Sequence, residues 1–335
     1  MPSCWSQCAR ENCDFRCVKG LNRSRFDLAD DEDVQCWLVT HHMVPSAPTS
    51  SNSSHSPVLM VSSSSDRGAY RCPVNTCRRR KSFRHGFFMG HLAPKKLLKL
   101  LYFLSRQSSV GDLVHEEEVA SETAANFVAT VCAAAHSFNL HLMEKSAGQW
   151  GQGKDDWLQC DETVVRGIRS KHADMRGRKR KSPQWLCGMC EVDSRSGKTR
   201  RVSSLHLLPK AQGRKSALLV PAIVVASAEN SLIATDELRS YCCLPKLIPG
   251  ATHKAVCHSR EFVSADGIHT NNIERVWGAV KDILRNIWPR NWAQGGDQLL
   301  CDRANLAILL HNASLASVDP FVALLRAVMY CQKLQ

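Results

Sequence analysis

Acidic side chains stand at the ends of three predicted secondary-structure elements, where they could hold a cation between them. Asp161 interrupts an apolar strand over residues 157–165, and Asp236 ends a second short apolar strand. Glu274 falls in the first turn of a predicted helix. Carboxylate oxygens are the ligands that Mg²⁺ prefers. Three acids in a chain of 335 residues do not identify a site by themselves, so the interpretation depends on the elements that position them.

The helix that carries Glu274 is defined by an apolar stripe. Ile273, Trp277 and Val280 recur at i, i+4 and i+7, which places them on one helical face. Asn271 is the predicted N-cap, and Glu274 three residues later would complete a start of the capping-box kind. A glutamate there can point back over the surface on which the helix packs. The alternative is an amphipathic surface helix with a capping glutamate.

The elements between the acids predict a mixed α/β domain. Residues 184–192 and 199–207 are predicted strands joined by a turn-forming segment, which indicates a hairpin. A helix over residues 215–228, the strand that ends in an acid, a strand over residues 254–256 and the acidic helix follow. Three antiparallel strands, a helix, two further strands and a helix are the order of a ribonuclease-H-like fold with a five-stranded mixed sheet.

Five sequence contexts between residues 157 and 284 carry a family resemblance. They are Asp161-Glu162-Thr163, residues 184–188, residues 235–241, residues 258–263, and residues 269–274 together with Trp277 and Lys281. This ordered set resembles the transposases of the Merlin superfamily of DNA transposons and the related bacterial ISXO2-like insertion-sequence transposases. One position departs from the family pattern, because Cys257 stands before His258 where the family usually has Asn.

The resemblance implies a DDE-type enzyme, that is, a metal-dependent polynucleotidyl transferase and endonuclease. Its triad would be Asp161, Asp236 and Glu274, holding Mg²⁺ or Mn²⁺. Asp161 would bridge two ions, with Asp236 on one of them and Glu274 on the other. Glu162 follows Asp161 on a strand and is expected to face the opposite side, so it is not predicted to be a ligand.

Four residues near the last motifs are candidates for accessory roles. His258 and His269 are expected to orient DNA or the scissile phosphate, and structural roles are the alternative. Asn272 is a weaker candidate for the third position of the triad, because some bacterial relatives use an Asn near this motif. Lys281 lies seven residues after Glu274 on the same helix face and is predicted to contact phosphate.

Composition favours a nucleic-acid partner and predicts no membrane span. The formal net charge is +13, which suits double-stranded DNA, although a generally basic protein is the alternative. No run of roughly 18 or more apolar residues occurs, and the N-terminus has no apolar signal-peptide core. Cysteines scattered through such a chain are expected to be reduced.

The N-terminal region contains half of a zinc-ribbon pattern. Cys72 and Cys77 form a close pair before a basic run with aromatic residues, and a structural Zn²⁺ needs four ligands. Cys36 with His41 or His42 is predicted to complete the set. The alternative is a degenerate ribbon without metal.

Two basic clusters are predicted to contact DNA phosphates, which gives affinity rather than sequence choice. The first cluster consists of Arg78, Arg79, Arg80, Lys81 and Arg84. Its alternative is a solvated loop. The second cluster consists of Arg176, Arg178, Lys179, Arg180 and Lys181. It lies in the predicted loop between the first two strands of the catalytic domain, where the family has a basic loop, so DNA contact is favoured and nuclear import is a second role.

Composition and pattern divide the sequence into six segments. In chain order they are a Cys-rich segment (1–45), a Ser-rich flexible linker (46–66), a basic segment like part of a zinc ribbon (67–92), a helical region (93–150), the ribonuclease-H-like domain (151–290) and C-terminal helices (291–335). The helical region resembles a helix-turn-helix that would read transposon ends in a major groove. A plain helical packing module is the alternative.

The resemblance therefore predicts a cut-and-paste DNA transposase that binds terminal inverted repeats and cleaves and joins DNA with a divalent metal. Such a protein is expected to act as a homo-oligomer on DNA. It would be nuclear in a eukaryote, and cytoplasmic with the nucleoid otherwise. Two alternatives stay open, because fold does not determine function. One is a domesticated or decayed DNA-binding protein without catalysis, and the other is a nuclease-like enzyme that acts on RNA.

Overall fold

The chain divides into two compact units in the structure, which is a computed structural model. One unit comprises Met1–Thr130 with Phe321–Gln335, and the other comprises Val131–Pro320. The structure describes residues 33–34, 37–38, 41, 43, 58–60, 69–71, 80–82, 92–153, 156–173, 179–209, 213–256, 267–290 and 292–333. The limits of the six segments drawn from the sequence stay a prediction.

The secondary structure of these residues follows in chain order. The strands are β1 (Val58–Met60), β2 (Ala69–Arg71), β3 (Arg80–Ser82), β4 (Asp156–Ala173), β5 (Lys179–Asp193), β6 (Lys198–Val202), β7 (His206–Leu207), β8 (Leu232–Asp236) and β9 (Thr252–Val256). The helices are α1 (Pro94–Ser105), α2 (Val110–Glu117), α3 (Ser121–Lys145), α4 (Ser216–Ala226), α5 (Leu244–Leu247), α6 (Asn271–Ile287), α7 (Asp297–Leu315) and α8 (Pro320–Lys333). Among the described helices, none has the length and apolarity to cross a membrane.

The first unit combines a small sheet with helices whose starts are encoded locally. β1, β2 and β3 pair in that order as an antiparallel sheet. Pro94 opens α1, where its missing N–H costs nothing. Ser109 and Asp112 form a capping box at the start of α2. Lys99 of α1 lies 3.5 Å from Glu117 of α2. The helices predicted over residues 93–142 are therefore present.

A six-stranded mixed sheet forms the centre of the second unit. Its order is β6-β5-β4-β8-β9, and β7 pairs with β5. β4 is antiparallel to β5 and parallel to β8, which is in turn parallel to β9. This mixed α/β arrangement is compatible with a ribonuclease-H-like domain. The predicted hairpin and the predicted pair of later strands are both present.

The prediction of five strands was wrong by one, because residues 199–207 do not form a single strand. Asn305 of α7 accepts a hydrogen bond from the N–H of Leu205 and donates one to its carbonyl, both at 3.0 Å. Asn312, seven residues later, makes the same pair of bonds with Val202 at 2.8 and 2.9 Å. Leu205 lies between β6 and β7, and its backbone groups bond the Asn305 side chain where a strand partner would otherwise bond them, so the strand is interrupted there.

The central strand β4 faces different helices on its two sides, because side chains alternate along a strand. Leu158 and Cys160 lie in a buried cluster with Leu219 and Ile223 of α4. Gln159 points the other way and contacts the start of α6. Acidic residues on this strand can therefore be held by either layer of helices.

An ion pair links α3 to α7 within the second unit. Nδ1 of His136 lies 2.7 Å from Oδ1 of Asp302. The hydrogen bond with Asp302 is the largest cause that raises the pKa of His136 from 6.5 to about 9. A histidine whose pKa is raised by folding contributes stability that is complete below its unfolded pKa. That contribution is lost as the pH rises through the folded pKa.

We therefore expect the free energy of unfolding of the wild type to exceed that of His136→Gln by more at about pH 6 than at about pH 10. Urea denaturation of both proteins at each pH measures the two differences. Asp302→Asn should remove the same pH-dependent part. A difference that is equal at both pH values would contradict the assignment.

Candidate active site

Two acids meet where a pair of parallel strands separates. β4 and β8 pair only between residues 157–159 and residues 232–234. Beyond these residues β4 continues beside β5, and β8 continues beside β9. Extending the parallel register by two residues sets Asp161 beside Asp236. The gap between the two strands is therefore bordered by the first two predicted acids.

Three carboxylates converge at this gap. Within the described residues, ligand oxygens of Asp161, Glu162 and Asp236 all lie within 4.8 Å of one another. Burial is the largest cause that raises the pKa of Asp161 from 3.8 to about 6, and the charges of Asp236 and Glu274 raise it further. An all-oxygen ligand set is the kind that Mg²⁺ takes, and a divalent cation would relieve this excess of negative charge. Asp161 and Asp236, the two acids of this cluster that the sequence predicted as ligands, therefore fit a divalent cation.

Three evenly spaced hydrogen bonds fasten α6 to β4. The pairs are Ile273 N to Gln159 Oε1 (2.9 Å), Trp277 Nε1 to Asp161 Oδ2 (3.0 Å) and Lys281 Nζ to Thr163 Oγ1 (2.6 Å). Each step is two residues on the strand and four on the helix. Two strand residues rise about 6.7 Å and four helical residues about 6.0 Å, so the two series stay nearly in step. Trp277 and Lys281 of the last motif are brought to Asp161 and Thr163 of the first motif in this way.

The predicted N-cap of α6 was wrong. The N-cap is Thr270 rather than Asn271, and its side chain makes no capping hydrogen bond. Gln159 is fully buried, and its Oε1 accepts a hydrogen bond from the N–H of Ile273. An N-cap side chain would otherwise accept the hydrogen bond from that N–H. A distant residue of β4 therefore takes the role of the N-cap.

Glu274 lies in the first turn of α6 with an exposed side chain. The Thr270 hydroxyl donates to its Oε1 at 3.5 Å. The positive end of the helix dipole favours a carboxylate at this position. Glu274 is not part of the three-acid cluster, but its charge contributes to the raised pKa of Asp161. It therefore lies close enough to act electrostatically at the gap.

Asn272 and His269 hold the start of α6 in place. Nδ2 of the buried Asn272 donates to the carbonyl of Gly197, in the turn between β5 and β6, at 2.9 Å. Nδ1 of His269 lies 3.4 Å from Nε2 of Gln159, and its ring meets Trp157 edge to face at 5.1 Å. These contacts are structural. Catalytic roles for the two residues stay predictions.

Glu162, which the sequence did not predict as a ligand, is held by donors of the protein. Tyr241 donates its hydroxyl proton to Oε1, and Nη1 of Arg214 donates to Oε2 at 3.2 Å. The same Nη1 lies 3.6 Å from Oδ2 of Asp236. The guanidinium also stacks on Trp185, 4.5 Å from the ring centroid. Sequence reasoning missed Arg214, because it stands outside every acidic motif.

Gly188 makes room for the contact between Trp277 and Asp161. It pairs with Asp161 across β4 and β5. A Cβ at this position would lie 2.4 Å from a Leu205 methyl carbon and 3.2 Å from the Trp277 ring. The glycine of the second motif is therefore required by packing beside the acid, a reason that its sequence context did not reveal.

Many of the residues predicted to bind zinc or DNA lie outside the part of the chain that the structure describes. They are Cys36, Cys72, Cys77, Arg78, Arg79, Arg84, Arg176, Arg178 and His258. Arg80 and Lys81 belong to β3, and Lys179, Arg180 and Lys181 begin β5. His41 is described and buried, with its ring centroid 4.5 Å from that of Trp37. Zinc and DNA binding by these residues stay predictions.

A separate cavity of about 1040 Å³ lies beside the start of β4. Trp157, Gly197 and His269 contribute to its lining, whereas none of the three clustered acids does. The cavity and the acid cluster are therefore different places on the sheet. The cluster is the better candidate site, because several ligand oxygens of the described chain converge there.

One family model matches this part of the chain. Residues 155–290 match the ISXO2-like transposase domain. The matched segment contains the acid cluster and α6. No curated protein matches the chain. The match supports a transposase family, whose substrate is DNA and whose DDE-type members generally use a divalent metal.

We expect Gln159→Leu to lower the free energy of unfolding by about 1–3 kcal/mol, because it leaves the buried N–H of Ile273 without an acceptor. Thr163→Val is the matched control at the other end of the same series. This substitution should lower the free energy of unfolding by less than about 1 kcal/mol, because the half-buried Lys281 ammonium can form a hydrogen bond with water instead. Urea denaturation measures both, and a smaller loss for Gln159→Leu than for Thr163→Val would refute the proposed helix start.

Proposed function

We propose that this protein is a cut-and-paste DNA transposase of the Merlin superfamily. It would bind terminal inverted repeats, cleave the DNA there and join the 3′ ends to a target. The observation that carries the proposal is the convergence of Asp161 and Asp236 at a gap in the sheet, inside the segment that matches the ISXO2-like transposase domain. Glu274 completes the proposed triad from a helix that is fastened to the same strand.

Asp161, Asp236 and Glu274 would hold Mg²⁺ or Mn²⁺. One oxygen of each aspartate is fixed by a hydrogen bond, Oδ2 of Asp161 by Trp277 and Oδ1 of Asp236 by the N–H of Leu238 at 3.0 Å. The second oxygen of each carboxylate would then bind a cation, and that of Asp236, Oδ2, lies 3.6 Å from Nη1 of Arg214. When bound, divalent cations would activate the attacking hydroxyl and neutralise charge at phosphorus.

Basic residues on α6 would hold the DNA backbone beside the acids. Glu274, Lys281 and Arg285 are spaced by seven and four residues, so they share one face of the helix. Burial is the largest cause that lowers the pKa of Lys281, followed by the charge of Arg285, while Asp161 opposes the change. A phosphate placed between the acids and this face would contact the Lys281 ammonium and the Arg285 guanidinium.

The proposal extends to a homo-oligomer on paired DNA ends, to nuclear location in a eukaryote and to Zn²⁺ in the N-terminal region. The second candidate function is a domesticated or decayed DNA-binding protein without catalysis. It is favoured by Cys257, which stands where the family usually has Asn, and by the incomplete cysteine pattern of the N-terminal region.

Asp161→Asn, Asp236→Asn and Glu274→Gln should each reduce cleavage of DNA that carries the element's own ends by about a thousand-fold or more. Each removes a ligand whose loss costs several kcal/mol of transition-state stabilisation. Gel assays of end-labelled DNA with Mg²⁺ or Mn²⁺ measure cleavage, and fluorescence anisotropy should show that binding persists.

Glu237→Gln is the matched control, because it neutralises an exposed acid next to Asp236. It should leave cleavage nearly unchanged. A wild type that binds the ends and cuts them with neither ion would refute the catalytic proposal and favour the second candidate.

Replacing Lys179, Arg180 and Lys181 by Ala should weaken binding to the ends and to unrelated DNA alike. The slope of log K against log salt concentration should become shallower by about 0.9 for each phosphate that the protein no longer neutralises. Anisotropy titrations at several salt concentrations measure the slope. An unchanged slope would contradict phosphate binding by this cluster, and a loss confined to the ends would indicate base readout instead.

A further inference from the structure

Arg214 is a cation within the acid cluster. Its Nη1 donates to Oε2 of Glu162 at 3.2 Å and lies 3.6 Å from Oδ2 of Asp236. The first distance is that of a hydrogen bond, and the second is that of a looser ion pair. Glu162 is therefore the closer partner, while Asp236 is the carboxylate that the proposed function assigns to a metal ion.

Glu162 is engaged by donors of the protein while Arg214 stays in place. Both of its oxygens are occupied, one by the Tyr241 hydroxyl and one by the guanidinium. Its side chain is fully buried, and removing one member of a buried ion pair leaves a charge that the interior does not tolerate. Proximity to Asp161 and Asp236 therefore does not make Glu162 a ligand.

The position of Arg214 is fixed from several directions. Its guanidinium stacks on Trp185. Ser240 donates its hydroxyl proton to the backbone carbonyl of Arg214 at 2.5 Å. Ser240 and Tyr241 follow Asp236 in one sequence context, and one contacts Arg214 while the other contacts its partner Glu162. Two residues of that context therefore support this ion pair.

We propose that Glu162 and Arg214 are positioning residues of the metal centre, in which Glu162 holds the guanidinium at a distance that leaves Oδ2 of Asp236 able to bind a divalent cation. This inference rests on the proposed function in taking Asp236 as a ligand. Without the charge of Glu162, the guanidinium moves onto Asp236, its nearest remaining carboxylate, and competes with the cation. Without Arg214 there is no competitor, so the loss of Glu162 is tolerated.

Mn²⁺ binding by the full chain without DNA tests this inference, with free Mn²⁺ measured by electron paramagnetic resonance. Glu162→Gln should raise the Kd by about tenfold or more, because the guanidinium then moves from 3.6 Å to hydrogen-bonding distance of Oδ2 of Asp236 and competes with the cation. Glu162→Gln combined with Arg214→Gln should return the Kd to within about threefold of the wild type, since the opposing charge is gone. Arg239→Gln is the control for an exposed arginine three residues after Asp236 and should leave the Kd unchanged.

Three results would overturn the inference. If the double variant binds Mn²⁺ as weakly as Glu162→Gln alone, then Glu162 is itself a ligand. If Glu162→Gln binds like the wild type, then Glu162 does not position Arg214. If the wild type binds no Mn²⁺, there is no centre to position.

Circular dichroism checks the folding of each variant. If Glu162→Gln does not fold, Glu162→Met is tested in its place, alone and with Arg214→Gln, and the same rescue is expected because Met also lacks the charge. The proposed function fails separately, because a protein that binds Mn²⁺ with the expected rescue but cuts no DNA keeps this inference and loses the transposase assignment.

Discussion

The hydrogen bond from the N–H of Ile273 to the buried side chain of Gln159 determines where α6 begins, and the candidate site depends on that position. One turn later Trp277 reaches Asp161, and Glu274 falls in the first turn. If Gln159 instead accepted the N–H of the residue before or after Ile273, the helix would turn by about 100° relative to β4 and carry Trp277 away from the acid. The single buried acceptor on Gln159 therefore fixes where Trp277 and Glu274 of α6 lie relative to Asp161 of β4.

The separation of β4 from β8 is the second constraint. Neighbouring strands lie about 4.8 Å apart, so two aspartates in register would face each other across a continuing ladder as like charges. Instead, pairing stops at Gln159, and each aspartate is held by a donor of its own, Trp277 for Asp161 and the backbone of Leu238 for Asp236. The gap separates the two acids. Each hydrogen-bond donor stabilises the negative charge of one carboxylate and so offsets part of the repulsion between them.

The features that followed from the sequence are those encoded by neighbouring residues. The apolar stripe of α6, the hairpin of β5 and β6 and the short strand before Asp236 all have a local period or turn signal. The errors and omissions share a different cause. Gln159 caps a residue 114 positions later, and Asn305 interrupts a strand 100 positions earlier. Arg214 likewise lies 52 positions from Glu162. Contacts of side chains across such distances leave no pattern in any local window.

The charges at the gap explain why an arginine belongs among the acids. Asp161, Glu162, Asp236 and Glu274 carry four formal negative charges when ionised, and Arg214 offsets one of them. Divalent cations at the two aspartates would meet this smaller excess of negative charge, and the ammonium of Lys281, which interacts with Asp161, adds a further positive charge nearby. Without the arginine the site would present more negative charge to DNA, and this charge would be weakly screened because the effective dielectric constant is low in a partly buried site. The pair of the buried Glu162 and the partly exposed Arg214 can therefore be retained for the charge that it sets at the site.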